Sequence, residues 1–396
     1  MNRAATCRIA VIPGDGIGTE VVAATLQVLQ ALKAGGALEL EWEELPWPST
    51  DWHRDHGAMM PYDALQRLQS YDAMLLGALG DPGPLGDAGR YVLPDAVSLA
   101  PLLTLRKGFD LWACERPARL LPGARQYLAD PRARDMDMLV IRENSEGEYV
   151  GQGGRLHRGT PFETATQTEV FTRSGTERLI RHAFRRARQR LQQRTADGAV
   201  RSFADDRGGE AAAQVCLVTK RNALQYWGEM YTEIFAEIAA DHPDIGMHHE
   251  LIDAACMKFV QCPWRFDVVA ASNLQGDILT DLAAVLAGGM GVAPSCNINP
   301  DNRDLPPLFE PTHGSAPDIA GQGQADPRAM LLTAAMMLDW LGETRRDCAE
   351  SARRLQRVVE QDIAEQGQTE RDTAAITAAI LQRLSATPEL KQEGAS

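Results

Sequence analysis

The sequence has no apolar run close to the roughly 18 residues of a membrane-spanning helix, so a membrane protein is not indicated. No signal-peptide hydrophobic segment follows the first residues, because Pro13 and Asp15 interrupt the first apolar run. Basic residues are in deficit: 40 Lys and Arg stand against 54 Asp and Glu, a net charge of −14. Such an acidic chain is a poor partner for nucleic acid or anionic lipid.

Paired cysteines are also missing. The seven cysteines are an odd number, and no two of them have Cys-x-x-Cys spacing. This pattern argues against a disulfide framework and a thiolate zinc site, and it favours a reducing, cytoplasmic location. We interpret these cysteines as small buried hydrophobic residues.

The remaining composition is that of a globular protein, and 396 residues predict two domains. Continuous apolar runs predict strands that are covered on both faces, as in a parallel sheet. These runs lie at residues 7–13, 72–77, 137–142, 214–219 and 266–271. Helical patterns alternate with them, which predicts an α/β fold.

Three polar stretches predict surface structure. Residues 173–201 contain nine arginines among apolar positions at helical spacing, and we interpret them as an amphipathic helix with a solvated basic face. Nucleic-acid binding by that face is the weaker alternative in an acidic chain. Residues 192–212 predict an exposed loop or insertion, and residues 387–396 a frayed tail.

Asp277 and Asp281 lie four residues apart in a segment that follows a buried strand and begins a helix, so they share one helical face. Like charges at this spacing destabilise a helix by a few tenths of a kcal/mol. A divalent cation would reverse that sign, and hard oxygen ligands suit Mg²⁺ or Mn²⁺. The alternative is that both are first-turn carboxylates that stabilise the helix dipole.

Arginines are the other candidates for ligand binding. Arg142 ends an apolar strand, where open α/β sheets place their ligands. Arg106 and Arg116 precede it, and guanidinium groups are well suited to hold substrate carboxylates. Ordinary surface ion pairing is the alternative for each of them.

A segment at residues 313–321 has small residues that would let backbone amides approach a phosphate closely. Asp318 could accept hydrogen bonds from an adenosine ribose and would repel a 2′-phosphate, which favours NAD over NADP. The alternative is a loop with a capping aspartate. The glycines at 14–18 do not fit the dinucleotide pattern and predict a plain strand-to-helix turn. Tyr149 and Lys220 follow strand-like segments and are candidate acid–base groups.

In this order, the motifs resemble the metal-dependent β-decarboxylating dehydrogenases, which act on isopropylmalate, isocitrate, homoisocitrate and tartrate or D-malate. The tartrate/D-malate branch is nearest, through residues 143–149, 170–173 and 266–281. The resemblance implies an α/β, isopropylmalate/isocitrate dehydrogenase-like fold of two domains that share a central sheet, not a standard Rossmann domain. The cofactor-bearing domain would be discontinuous, at 1–111 plus 288–396. The substrate and dimerisation domain would span 112–287, with the insertion near 192–212.

The resemblance also implies the role of each candidate. Substrate binding would use Arg106, Arg116, Arg142, Lys220 and Asp253. The metal ligands would be Asp277 and Asp281, with Asp253 of the partner subunit. Tyr149 and Lys220 would be catalytic, Lys220 again from the partner. The NAD site would comprise His313, Gly314, Ser315, Ala316, Asp318, Ile319, Asp326 and Asn222.

The implied function is NAD-dependent oxidative decarboxylation of a small 2-hydroxy dicarboxylic acid, with Mg²⁺ or Mn²⁺, in a cytoplasmic homodimer with shared active sites. D-malate or tartrate is the expected substrate. The alternative is 3-isopropylmalate or another 3-substituted malate, because Leu102 and Leu103 resemble the apolar pair of isopropylmalate enzymes and residues 95–100 lack the histidine and tryptophan of the tartrate/D-malate branch. Asp326 also replaces the asparagine usual in the family. A non-catalytic dicarboxylate-binding protein is a distant alternative.

Overall fold

The computed structural model describes residues 6–36, 38–80, 93–367 and 369–386; the tail predicted at 387–396 and the first five residues lie outside them. In chain order, the strands are β1 (Cys7–Gly14), β2 (Leu40–Glu44), β3 (Ala73–Ala78), β4 (Ala113–Arg119), β5 (Asp137–Glu143), β6 (Gly147–Leu156), β7 (Thr164–Val170), β8 (Phe203–Ala204), β9 (Glu210–Ala211), β10 (Gln214–Thr219), β11 (Gly246–Leu251), β12 (Val268–Ala271), β13 (Cys296–Ile298) and β14 (Leu308–Phe309). The helices are α1 (Gly18–Ala34), α2 (Thr50–His56), α3 (Ala64–Leu68), α4 (Asp95–Ser98), α5 (Ala100–Gly108), α6 (Arg173–Ala196), α7 (Gln225–Ala240), α8 (Ile252–Gln261), α9 (Asn273–Leu286), α10 (Arg328–Gly342), α11 (Arg346–Gln366) and α12 (Thr373–Ala386).

The chain divides into two compact units. The first comprises Met1–Phe109, Leu121–Arg125 and Ala287–Ser396, and the second comprises Asp110–Leu120 and Gln126–Leu286. The first unit has the strand order β13–β14–β3–β1–β2, with β13 and β14 antiparallel and the other pairs parallel. The second has the order β11–β10–β12–β5–β4, with β4 antiparallel to β5 and the other pairs parallel. All five strands expected from apolar runs are therefore present.

Helices α6 and α7 bury their apolar faces on the sheet of the second unit. Phe184 and Phe235 pack in one cluster with Val215 and Val268, and all four are fully buried. Removing such a side chain from water stabilises the fold by about 1.5–3 kcal/mol each. This packing fixes the strands whose ends carry the candidate site.

The arginines of α6 are not simply a solvated face, as the sequence had suggested. Asp267 is fully buried and accepts hydrogen bonds from Nε of Arg190 and from both terminal nitrogens of Arg194, each over 2.8 Å. Burial alone would raise the pKa of Asp267, but the two arginines hold it below its usual range. Arg188 similarly pairs with Asp244. The predicted amphipathic helix is present, but helical periodicity does not show which distant carboxylates approach its arginines.

The segment 192–212 is not one exposed loop. Its first five residues complete α6, and β8 and β9 then pair as a short antiparallel ladder. Phe203 is 2% exposed beneath the guanidinium groups of Arg194 and Arg201, whose Cζ atoms lie 5.5 and 4.9 Å from the ring centroid. The polar composition concealed this single buried aromatic anchor.

The described cysteines form no disulfide, and five of the seven are buried, as expected; Cys256 and Cys262 are partly exposed. Among the described residues, no helix combines the length and apolarity needed to cross a membrane. A cytoplasmic location stays a prediction.

Candidate active site

Four candidate residues lie at or beyond the carboxyl ends of parallel strands in the second unit. Arg142 lies near the end of β5, and Lys220 directly follows β10. Asp253 follows β11, and Asp277 lies on α9, which follows β12. Ligands of open α/β sheets bind at this edge, because the chain turns outward there and exposes its polar groups.

Arg142, Asp277 and Tyr149 contact one another. Arg142 is 2% exposed, and its guanidinium forms an ion pair with Oδ1 of Asp277. The hydroxyl of Tyr149 donates a hydrogen bond to Oδ2 of Asp277 over 3.1 Å. Cζ of Arg142 lies 5.2 Å from the centroid of the Tyr149 ring, within the range of a cation–π interaction. The predicted substrate-binding residue Arg142, the predicted metal ligand Asp277 and the predicted catalytic residue Tyr149 therefore lie together.

Arg116 approaches the same helix from β4. Its Nη1 donates to Oγ1 of Thr280 over 2.7 Å and to Oδ1 of Asp281 over 3.4 Å, and lies 4.0 Å from Oδ1 of Asp277. Partial burial raises the pKa of Asp281; Arg116 opposes this rise and Asp277 adds to it. Two guanidinium groups therefore flank the two carboxylates of α9.

The first-turn interpretation of these carboxylates is wrong. Helix α9 begins at Asn273, and its first turn holds no acidic residue. Stabilisation by the helix dipole falls off beyond the first turn, so it does not explain Asp277 or Asp281. The electrostatic repulsion between the two carboxylates is instead reduced by the neighbouring arginines, and a bound cation would reduce it further.

Lys220 and Asp253 form a separate pair. Nζ of Lys220 donates to Oδ1 of Asp253 over 2.8 Å, and this hydrogen bond lowers the pKa of Asp253. Within the described part of the chain, no three His, Cys, Asp or Glu side chains are grouped so that they could hold a metal ion. One chain therefore joins Asp277 with Asp281, and Lys220 with Asp253, but does not gather the three aspartates.

Arg106 lies on α5 in the first unit and is 7% exposed. Its Nη2 donates to Oε1 of Glu310 over 2.9 Å, and Nδ2 of Asn297 donates to the same oxygen over 2.8 Å. Nε of Arg106 is buried without a hydrogen-bond partner. Sequence reasoning missed Glu310, although an acidic residue directly after the buried strand β14 could have indicated it.

The loop at residues 313–321 is bonded to the glycine turn that follows β1. The backbone N–H of Ile17 donates to the carbonyl of Ser315 over 2.8 Å. A Cβ on Gly16 would lie 2.0 Å from that carbonyl oxygen, so the approach requires glycine. The turn is the predicted strand-to-helix connection, and it also supports the loop. Burial lowers the pKa of His313, whose Nε2 is buried without a hydrogen-bond partner.

Asp318 is exposed on this loop, beside a turn in which the Ile319 N–H donates to the Ala316 carbonyl over 3.1 Å. Gly314 is exposed, with no atom within 4 Å of an added Cβ. Asn222 is exposed in the second unit, between β10 and α7. These groups are accessible to a ligand.

Asp326 is engaged by a neighbouring arginine. Its carboxylate accepts hydrogen bonds from the backbone N–H and Nε of Arg328, each over 2.9 Å, and from Nη2 over 2.6 Å. The extra negative charge at this position is therefore paired within the chain.

A family model described as isocitrate/isopropylmalate dehydrogenase matches residues 8–387. The chain is 42% identical over 385 residues to a 3-isopropylmalate dehydrogenase of Thermobifida fusca, covering 96% of this chain and 99% of that protein. It is also 42% identical over 344 residues to a probable tartrate dehydrogenase/decarboxylase of Agrobacterium vitis, covering 86% and 87%. The crystal structure of isocitrate dehydrogenase from Methylococcus capsulatus matches with a TM-score of 0.76 and 32% identity, covering 96% and 99%.

Proposed function

The chain belongs to the isocitrate/isopropylmalate dehydrogenase family, and we propose that it catalyses NAD-dependent oxidative decarboxylation of D-malate or tartrate. The resemblance seen in the sequence and the α/β fold class are confirmed. The protein is a decarboxylating dehydrogenase that acts on a CH–OH group, so a non-catalytic binding protein is not supported. The identity of the diacid and the cofactors are parts of the proposal.

The contact of Arg142 and Arg116 with the carboxylates of α9 carries the proposal. A guanidinium binds a carboxylate through two parallel hydrogen bonds, so these arginines suit the acidic groups of the substrate. Arg106 offers a third group, since its Nε is buried without a hydrogen-bond partner. We assign substrate binding to these three residues.

The donor set of Asp277 and Asp281 fits a hard divalent cation, because both supply carboxylate oxygens from one helical face. We propose Mg²⁺ or Mn²⁺ there, with Asp253 of the partner subunit as the third ligand. A cation held there would supply stabilisation of the negative charge that develops on the substrate oxygens, and bound NAD would supply the hydride acceptor.

Two side chains are assigned to proton transfer. Lys220 of the partner subunit accepts the proton of the substrate hydroxyl, and Tyr149 supplies a proton after carbon dioxide has left. The hydrogen bond from Tyr149 to Asp277 holds the phenol beside the proposed metal ligand. The guanidinium of Arg142 lies over the Tyr149 ring, on the same side of the site.

For NAD, the 313–321 loop and Asn222 of the partner subunit are proposed as contacts. The buried Nε2 of His313 has no hydrogen-bond partner, which fits a ligand polar group. The exposed carboxylate of Asp318 favours a ribose hydroxyl over a phosphate. Asp326, neutralised by Arg328, fits a role at the edge of this site. The first unit would thus bear the cofactor.

Apolar side chains on α8 and α9 support a homodimer. Large hydrophobic residues on these two packed helices remain between 40% and 60% exposed: Met257, Val260, Ile278 and Val285. Contiguous exposed apolar surface commonly marks an interface. The same helices carry Asp253 and Asp277, the metal ligands that we propose come from the two copies. We propose that a second copy covers these helices and that the two copies share their active sites.

A 3-alkyl malate, such as 3-isopropylmalate, is the second candidate substrate. Leu102 and Leu103 are half-buried and precede Arg106 by four and three residues, so they share its face of α5. An alkyl substituent on the diacid would pack against these leucines. The observation favours an apolar substituent beside a bound carboxylate.

NADH formation tests the proposal on D-malate, tartrate, 3-isopropylmalate, isocitrate and homoisocitrate, with Mg²⁺ or Mn²⁺ and after chelation. We expect metal-dependent turnover that is fastest with D-malate or tartrate. A strong preference for 3-isopropylmalate would support the second candidate. No turnover of any diacid would contradict both.

A further inference from the structure

Asn273 occupies a constrained position above Arg142. Strand β12 runs parallel to β5 with Ala271 opposite Arg142, and Asn273 begins α9 two residues later. A Cβ on Gly276 would lie 2.7 Å from Cβ of Arg142, so the first turn of α9 passes directly over this arginine. Asn273 is 2% exposed, and its amide lies between β5, which carries Arg142, and the loop that follows β5.

The Asn273 amide is hydrogen-bonded on both sides. Oδ1 accepts from Nε of Arg142 over 2.9 Å and from Nη2 over 2.7 Å. Nδ2 donates to the backbone carbonyl of Glu146 over 3.1 Å, which sets the orientation of the amide. Two donors on one edge of a planar guanidinium are thereby fixed, so the plane of the whole group is fixed.

We propose, on the basis of the proposed function, that Asn273 is a positioning residue that aims Nη1 of Arg142 at the substrate carboxylate. Nη1 is the terminal nitrogen that faces Asp277. A cation held by Asp277 would compete for the same carboxylate and would weaken its ion pair with the arginine. The neutral amide keeps the guanidinium in place in both conditions.

The neutrality of Asn273 is part of this role. An aspartate could also accept hydrogen bonds from Nε and Nη2, but its charge would compensate the guanidinium and reduce the attraction for a diacid. It would also face the Glu146 carbonyl without a donor. A merely structural residue would not require an uncharged acceptor for diacid binding.

The test compares Asn273→Ser and Asn273→Asp with Asn144→Ser in the full-length protein. Asn144 is a matched control, since it is a second buried asparagine at the end of β5, and its Nδ2 donates to the Leu111 carbonyl over 3.1 Å. The measurements are kcat, KM for the preferred diacid, KM for NAD, the Kd of that diacid by calorimetry, and Tm.

Loss of a hydrogen bond to a charged group predicts that Asn273→Ser raises KM and Kd for the diacid about tenfold, with KM for NAD changed by less than about twofold. Asn273→Asp should weaken diacid binding at least as much. Asn144→Ser should lower Tm without this selective effect. Equal diacid affinity in wild type and both Asn273 variants, or equal losses in diacid and NAD, would overturn the inference. If the wild-type protein binds a diacid but does not turn it over, the proposed function is refuted, and the Kd values still test the role of Asn273. If the wild-type protein binds no diacid, both the proposed function and the role of Asn273 are overturned.

Discussion

The hydroxyl of Tyr149 donates a hydrogen bond to Oδ2 of Asp277, while Arg142 pairs with Oδ1 of the same carboxylate. One aspartate therefore links the tyrosine of β6 to the arginine of β5. If Asp277 binds a cation, that cation lies next to both a carboxylate-binding group and a proton donor. The predictions for Tyr149 and Asp277 follow from this geometry.

Tyr149→Phe removes the proposed proton donor and keeps the ring that packs on Arg142. We expect kcat to fall roughly 100-fold while KM for the diacid changes by less than about threefold. Steady-state NADH formation measures both. Tyr226→Phe, at a side chain that is 93% exposed, is the control and should behave as wild type. An unchanged kcat in Tyr149→Phe would remove the catalytic assignment.

Asp277→Asn replaces the proposed metal ligand with a neutral side chain of the same size. Turnover should fall by orders of magnitude, because charge stabilisation by the cation is lost, and excess metal should restore it only partly. Asp241→Asn, at an exposed aspartate that follows α7, should leave the rate unchanged. Wild-type rates in Asp277→Asn at low metal concentration would refute the assignment.

Asp318→Lys reverses the charge of the exposed carboxylate on the proposed NAD loop. A lysine attracts a 2′-phosphate, so the ratio of kcat/KM for NADP to that for NAD should rise at least about tenfold. The control is Asp304→Lys, at an exposed position of the first unit outside the loop. The same cofactor ratio in both variants would show that Asp318 does not select the cofactor.

Glu115 should make stability depend on pH. Burial alone would raise its pKa, but Arg186 and His182 reverse the effect and lower it from 4.5 to about 2. Because the folded pKa is lower, the stabilisation is present above the unfolded pKa and is lost as pH falls towards 2; it is of the order of 3 kcal/mol. Glu115→Gln should therefore lower the free energy of unfolding at pH 7, with a smaller difference at pH 3.5. Urea titrations at both pH values would show it, and a pH-independent difference would contradict it.

The sequence predicted the elements that depend on local pattern. Continuous apolar runs predicted the strand that contains Arg142 and the strand before Lys220, and four-residue spacing placed Asp277 and Asp281 on one helical face. It did not reveal partners that only tertiary structure brings together. Nothing local indicates that Asn273 accepts two hydrogen bonds from Arg142, which is 131 residues away. The charge of Arg190 and Arg194 predicted that these side chains are solvated, whereas both pair with the buried carboxylate of Asp267.

The central claim is that each active site combines Asp277 of one copy with Lys220 of another. Co-expression of Lys220→Met and Asp277→Asn chains with different affinity tags tests it most directly. Each variant alone should be inactive, whereas the doubly purified heterodimer has one intact site and should recover about half of the wild-type rate. No recovery in a correctly assembled heterodimer, or full activity of a monomer, would contradict the claim.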